Sequence, residues 1–404
     1  MTLAAARALD VADPLAPIRD RFILPADTLY LDGNSLGCLP RATPAIVATM
    51  VERQWGERLI RGWNEGWIDA PARLGAKLAP LVGARAHEVI VGDSTSTNLF
   101  KLLVAALRHD PARRTIVSEA GNFPTDLHIA EGAVACVPGA RLHVVARDQV
   151  EAALGEDTAL LLLTHVHYKT AQRWDMAALT AAAHAAGALA LWDLSHSVGA
   201  VPVALNACAA DLAVGCGYKY LNGGPGSPAF LYVADHLHDA LASPLSGWMG
   251  HAAPFAFEDA YRPAPGMTRW LSGTPPVLGM AALEVGLDLW TEVGIEAAWT
   301  KAQCLWTILA EAGRAAGLEC VTPDDPARRG SHVSFRHPHA HAIVQCLIAR
   351  GVIGDFRDPD IARFGLTPLY LSHEDVWRAG EALRDVMATG AWRDPTFARR
   401  ATVT

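Results

Sequence analysis

The chain has 404 residues, 51% of them apolar and 19% charged. This is the composition of a soluble globular enzyme with room for a large domain and a smaller one. A net charge of -8 and a pI near 6.0 argue against a nucleic-acid surface.

No apolar run reaches the ~18 residues of a membrane helix. Residues 1–7 lack the basic-then-apolar pattern of a secretory signal, so a cytoplasmic location is expected. Seven scattered cysteines without a C-x-x-C pair argue against disulfide or zinc frameworks. The histidine runs His165/His167 and His337/His339/His341 come without an accompanying carboxylate or cysteine cluster, so no metal is expected.

In chain order, residues 1–60 read as an irregular arm, with Pro14, Pro17, Pro25 and Pro40, followed by helices near 42–62. A large domain is expected over 61–275. Its strands fall at 87–91, 114–118, 142–145, 159–164, 188–193, 212–216 and 229–233, with helical patterns such as 97–108 and 176–186 between them. Buried strands alternating with helices imply an α/β fold with a mostly parallel seven-stranded sheet. Ligands on such a sheet bind at the C-terminal strand ends. A smaller C-terminal α/β domain is expected over 276–404, with helices at 276–293, 295–316, 340–350 and 373–388 and a strand at 332–335.

The most informative stretch is Ala213 to Gly226, where a short apolar strand runs into Lys219 and then a glycine-rich turn. The chain has only five lysines: Lys77, Lys101, Lys169, Lys219 and Lys301. A lysine at this junction points to chemistry that needs a primary amine, a Schiff base with pyridoxal phosphate (PLP) foremost. A surface lysine after an edge strand is the alternative.

Three features on the same sheet edge weigh between these readings. Asp193 ends the strand at 188–193, where a buried carboxylate needs a partner such as a protonated pyridine nitrogen; a helix cap is the plainer reading. The run Gly92-Asp93-Ser94-Thr95-Ser96-Thr97 opens a helix whose N-terminus suits a phosphate, or is simply capped by a hydroxyl. Gly121-Asn122-Phe123-Pro124-Thr125-Asp126 offers a ring to stack on a cofactor, or a plain turn. Together they supply amine, acid, phosphate cradle and stacking ring on one edge, which favours PLP.

The runs Leu31-Asp32-Gly33-Asn34-Ser35-Leu36-Gly37, Asn122-Phe123-Pro124-Thr125-Asp126, Asp193-Leu194-Ser195-His196 and Tyr218-Lys219-Tyr220-Leu221-Asn222 closely resemble the kynureninase family. So do Gly247-Trp248-Met249-Gly250-His251, Gly273-Thr274-Pro275-Pro276 and Arg363-Phe364-Gly365-Leu366-Thr367-Pro368. The resemblance implies PLP-dependent fold type I and hydrolysis of L-kynurenine to anthranilate and L-alanine, within tryptophan catabolism and the kynurenine route to NAD.

It further implies Lys219 as cofactor anchor and Cα base, Asp193 on the pyridine nitrogen and His196 beside the cofactor. Thr95, Ser96, Tyr218 and Trp248 would serve the phosphate, and Phe123 would cover the ring. Pro124, Thr125, Asp126, Thr164 and Thr274 would be further cofactor contacts. Tyr218 is a candidate proton-transfer residue and Asp126 a candidate for assisting carbonyl hydration. Arg363 would clamp the substrate carboxylate, with Ser35, Trp63 and Thr274 also toward the substrate. Trp63 and Thr274 stand where the animal enzymes have His and Asn, which implies a preference for kynurenine over 3-hydroxykynurenine.

A homodimer is implied, with Trp248 and Thr274 reaching the partner's site. The rival readings are a cysteine desulfurase, an aminotransferase, or a PLP-binding regulator without turnover.

Overall fold

The computed structural model describes residues 1–400. Its central sheet has seven strands in the order Val89–Val91, Phe230–Val233, Leu212–Gly215, Leu189–Asp193, Thr158–Thr164, Thr115–Glu119 and Arg141–Val145. Phe230–Val233 runs against both neighbours and all the other strands run one way. Helices cover both faces, so a strand such as Thr158–Thr164, with the sequence TALLLLT, is buried at every position. Only the edge strand Arg141–Val145 is largely open to solvent.

Local chemistry sets the helix starts at the functional edge. Ser94 caps Thr95–His109 by accepting from the Thr97 N–H at 3.2 Å. Asp175 caps Met176–Ala185 through the Ala178 N–H at 3.0 Å. Pro124 opens Pro124–Ala135 in the first turn, where its missing N–H costs nothing. The stretch read as a turn around Phe123 is therefore the entry to a helix.

A second, antiparallel sheet joins Glu319–Cys320, His332–Arg336, Ile361–Gly365 and Asp355–Arg357. Helices Ile295–Ala315, Ala340–Ile348 and His373–Thr389 pack around it. Ser372 and Asp375 form a reciprocal cap at the start of the last helix, each accepting from the other's N–H at 3.0 Å.

The N-terminal segment is built into this second unit. Helix Leu3–Ala12 packs on His373–Thr389, and Leu29–Tyr30 pairs in parallel with Val352–Ile353. Conversely, helix Val277–Val293 seats on the large unit: Trp290 Nε1 donates to the Tyr220 carbonyl at 2.9 Å, just past Lys219. Among the described residues no helix is long and apolar enough to cross a membrane.

Candidate active site

Four of the five lysines bind oxygen. Lys77 meets Glu284 and Asp288, Lys101 meets Asp93, Lys301 meets Asp13, and Lys169 donates to the Asp358 carbonyl. Lys219 differs. Its buried Nζ lies 3.0 Å from His196 Nε2. Burial, and then the charge of Lys219, hold His196 well below the usual imidazole range, so the ring is neutral and accepts from the amine. The Phe123 and Tyr218 ring centroids lie 5.8 and 5.6 Å from Nζ.

The Leu31–Gly37 run supports this lysine from behind. The Gly37 N–H donates to the Tyr218 carbonyl at 2.8 Å, and a Cβ on Gly37 would stand 2.3 Å from the Lys219 carbonyl oxygen. Only glycine permits that approach.

Asp193 and Thr164 are paired residues on adjacent parallel strands. The Asp193 Oδ1 accepts from the Ser195 N–H at 2.6 Å, and the carboxylate is buried. Asp126, in the first turn of Pro124–Ala135, is buried beside it and accepts from Thr164 Oγ1 at 3.1 Å. Burial, and then the neighbouring Asp193 charge, push Asp126 well above the usual carboxylate range. The proton is therefore favoured on Asp126, the carboxyl facing Thr164 and Asp193.

For the expected role of Asp126 in carbonyl hydration, the relevant feature is where its carboxyl points. It is turned to Thr164 and Asp193, and Asp126 is not among the residues lining the cavity. Thr125 is half-buried in the same helical turn.

Thr95 and Ser96 occupy the first turn of Thr95–His109. The first helical bond runs from the Asn98 N–H to the Ser94 carbonyl at 2.9 Å, and Ser94 Oγ takes the Thr97 N–H. The N–H groups of Thr95 and Ser96 stand ahead of both, oriented for an anion.

Arg363, on Ile361–Gly365, is buried at 1% exposure. Its Nε donates to Asp355 Oδ1 at 2.8 Å and its Nη2 to Asp355 Oδ2 and to Ser35 Oγ, the latter at 2.9 Å, while Nη1 donates to the Tyr168 carbonyl. Ser35 Oγ donates to Asp355 Oδ2 at 2.7 Å. Arg357 Nη2 reaches the same Oδ2 at 2.6 Å. Asp32 completes the cluster. Burial and the Asp355 charge push it up to about 7. Burial raises Asp355 most strongly, but Arg363, Arg357 and Ser35 together hold it below the usual range.

Asp355 and Arg357 were missed by the sequence reading. The signal was there: acid and base two positions apart on a short strand share one face. His332 was missed too. It is fully buried, with its ring 5.7 Å from that of His196.

Phe123, Pro124, His196, Tyr218, Lys219, Ser35 and Arg363 line one cavity of about 370 Å³. Thr95, Ser96, Thr125, Asp126, Thr164 and Asp193 are not among its lining residues, and neither are Trp63, Trp248 and Thr274. Trp63 packs edge-on against Trp67 with centroids 5.7 Å apart, Trp248 is exposed beside Phe255, and Thr274 is exposed.

A family model, Kynureninase C-terminal domain, matches residues 299–383. A kynureninase from Burkholderia mallei (strain SAVP1) is 52% identical over 411 residues, covering 99% of each chain. The chain belongs to the kynureninase family. A kynureninase from Pseudomonas fluorescens is 48% identical over 408 residues, covering 98% of each chain.

Solved structures share the fold at low identity. A cysteine desulfurase from Thermococcus onnurineus NA1 superposes with a TM-score of 0.78 at 17% identity, covering 92% of this chain and 98% of that one. The cystine C–S lyase C-DES, in complex with cysteine persulfide, gives 0.75 at 20% identity, covering 89% and 98%. The kynureninase-family fold is thus the α/β fold type I of PLP enzymes, as expected from the sequence. Likeness to desulfurases stops at the fold: Cys320 is half-buried at a strand end and Cys346 is buried inside a helix.

Proposed function

We propose that this chain hydrolyses the Cβ–Cγ bond of L-kynurenine, consuming one water and releasing anthranilate and L-alanine, with PLP as cofactor. The observation that carries this reading is Lys219, a buried amine whose partner is a neutral imidazole, opening on the same cavity as Arg363 in a kynureninase-family chain.

The residues present fit the cofactor. Lys219 Nζ has no counter-charge to give up. A buried carboxylate at Asp193 suits a protonated ring nitrogen, the first turn of Thr95–His109 suits a phosphate, and Phe123 presents a ring face over the amine. His196 Nδ1 is buried without a partner and suits a polar ring substituent. When bound, PLP supplies the carbonyl that captures the substrate amine and a ring that accepts electrons from Cα.

The protein's part follows from its groups. Lys219 holds the cofactor and then takes the Cα proton. Burial raises the Tyr218 phenol above its ordinary value, so it stays protonated and serves as a proton donor. Arg363 and its neighbours orient the substrate carboxylate.

The active form is read as a homodimer in which Trp63, Trp248 and Thr274 serve the partner's cavity, with unsubstituted kynurenine preferred over the 3-hydroxy form. The test is to incubate PLP-loaded protein with L-kynurenine and follow anthranilate fluorescence and alanine together. Stoichiometric appearance of both is expected, and Lys219→Ala should abolish it. Amino-group transfer without anthranilate would overturn the reading in favour of an aminotransferase.

A further inference from the structure

We propose that the substrate carboxylate is received by two guanidinium groups, with Arg357 as the outer and more available one and Asp355 as the brace that holds both. The inference rests on the kynurenine reading above and names a residue to which that reading gives no role.

The argument is a count of donors. An arginine has five N–H groups. Arg363 gives Nε and one Nη2 proton to Asp355, the other Nη2 proton to Ser35, and one Nη1 proton to the Tyr168 carbonyl. One proton remains, on a side chain that is 1% exposed. The Nε/Nη2 edge that a carboxylate would grip in parallel is already filled by Asp355.

Arg357 is placed differently. Its side chain is 33% exposed and lines the cavity beside Lys219. Only Nη2 is engaged, with Asp355 at 2.6 Å and Ser35 at 3.2 Å, and Nε is buried without a partner. Both Nη1 protons are therefore open to a ligand.

The backbone fixes this arrangement. Asp355 and Arg357 sit two apart on Asp355–Arg357 and so share a face, and Asp355 is the direct cross-strand partner of Arg363. One carboxylate faces two guanidinium groups. Below about pH 7, where Asp32 keeps its proton, the two guanidinium groups and the single Asp355 carboxylate leave one net positive charge that a monoanion complements. Asp358, the acid among the described residues that line the cavity, is paired with Arg400 at 3.0 Å.

The test uses PLP-loaded protein and two ligands that differ only in charge: the deaminated analogue of kynurenine, which keeps the carboxylate, and the carboxamide of that analogue. Calorimetry gives each Kd without relying on turnover. Arg357→Gln should weaken the acid about tenfold or more, the loss of a charge-assisted hydrogen bond, and leave the amide within about twofold. Arg357→Lys should recover part of the acid's affinity. In turnover, KM for kynurenine should rise with little change in kcat.

An unchanged Kd for the acid overturns the proposal. So does equal weakening of acid and amide, which would mark a merely structural arginine. Failure of the wild type to form anthranilate would sink the functional reading while leaving the acid–amide contrast to be judged by itself.

Discussion

The raised pKa of Asp126 makes a sharp prediction, because two neighbouring buried carboxyl groups should respond unequally to the same substitution. Asp193→Asn keeps Oδ1, and with it the 2.6 Å bond from the Ser195 N–H, so the change removes charge and little else. At a buried position a charge-assisted hydrogen bond contributes about 1.5–3 kcal/mol, or roughly 10- to 150-fold in affinity. PLP binding to apo Asp193→Asn, followed by the visible absorption band, should weaken by that factor, and kcat should fall with it. Asp126→Asn replaces a group that is already neutral and should leave PLP affinity within about fivefold.

Stability offers a second check. Asp126 stays protonated in the fold well above the pH at which it ionises in the unfolded chain. The native state therefore binds the extra proton, and stability falls as pH rises through that window. Asp126→Asn removes the penalty, so the apo variant's Tm should exceed the wild type's by an amount that grows from pH 4 to pH 8. Should Asp126→Asn lose a hundredfold in PLP affinity while Asp193→Asn stays near wild type, the charge has been assigned to the wrong carboxyl.

Tyr218→Phe should lower kcat by about a hundredfold or more while changing PLP affinity only a few-fold; unaltered turnover would rule out proton transfer by the phenol. Asp32 ionises at about 7, beside Asp355 and Arg363, so KM for kynurenine should rise as pH increases from 6 to 8, and Asp32→Asn should flatten that rise. A slope that persists in the variant assigns the titration elsewhere. Gly37→Ala drives a methyl against the Lys219 carbonyl at 2.3 Å and should cost about 1–3 kcal/mol of stability, read as a lower Tm together with weaker PLP binding. An unchanged Tm would refute the close approach. Mixing and refolding Lys219→Ala with Trp248→Ala chains should regain activity if Trp248 serves the partner's cavity, since each mixed dimer then has one intact site. No gain would place Trp248 in its own chain's site.

The fold was legible because burial writes itself into sequence. Runs such as Leu160–Leu163 have to be covered on both faces, and Asp175 and Ser372 announce the helices they cap. Lys219, Asp193, Phe123 and the Thr95–Ser96 turn were legible because each stands at, or a few residues past, the end of a strand on one sheet edge. The charge cluster was only half legible. Arg363 stood out by resemblance, but what an arginine can grip depends on which donors are already spent, and Asp355 becomes its partner only through antiparallel pairing. The state of Asp126 was hidden for the same reason: its proton belongs to a pair brought together by two strands and a helix, not to a motif.

Trp63, Trp248 and Thr274 expose a different limit. Resemblance ties them to the cavity, yet in one chain they stand outside it. Their surroundings carry the exposed apolar side chains Trp55, Leu59, Ile60, Phe255 and Phe257. In the proposed homodimer, a second copy of the chain would cover these large apolar groups. The proposed homodimer would thus have a cavity whose floor comes from one chain and whose outer wall comes from its partner, the arrangement that the Lys219→Ala and Trp248→Ala mixing experiment tests.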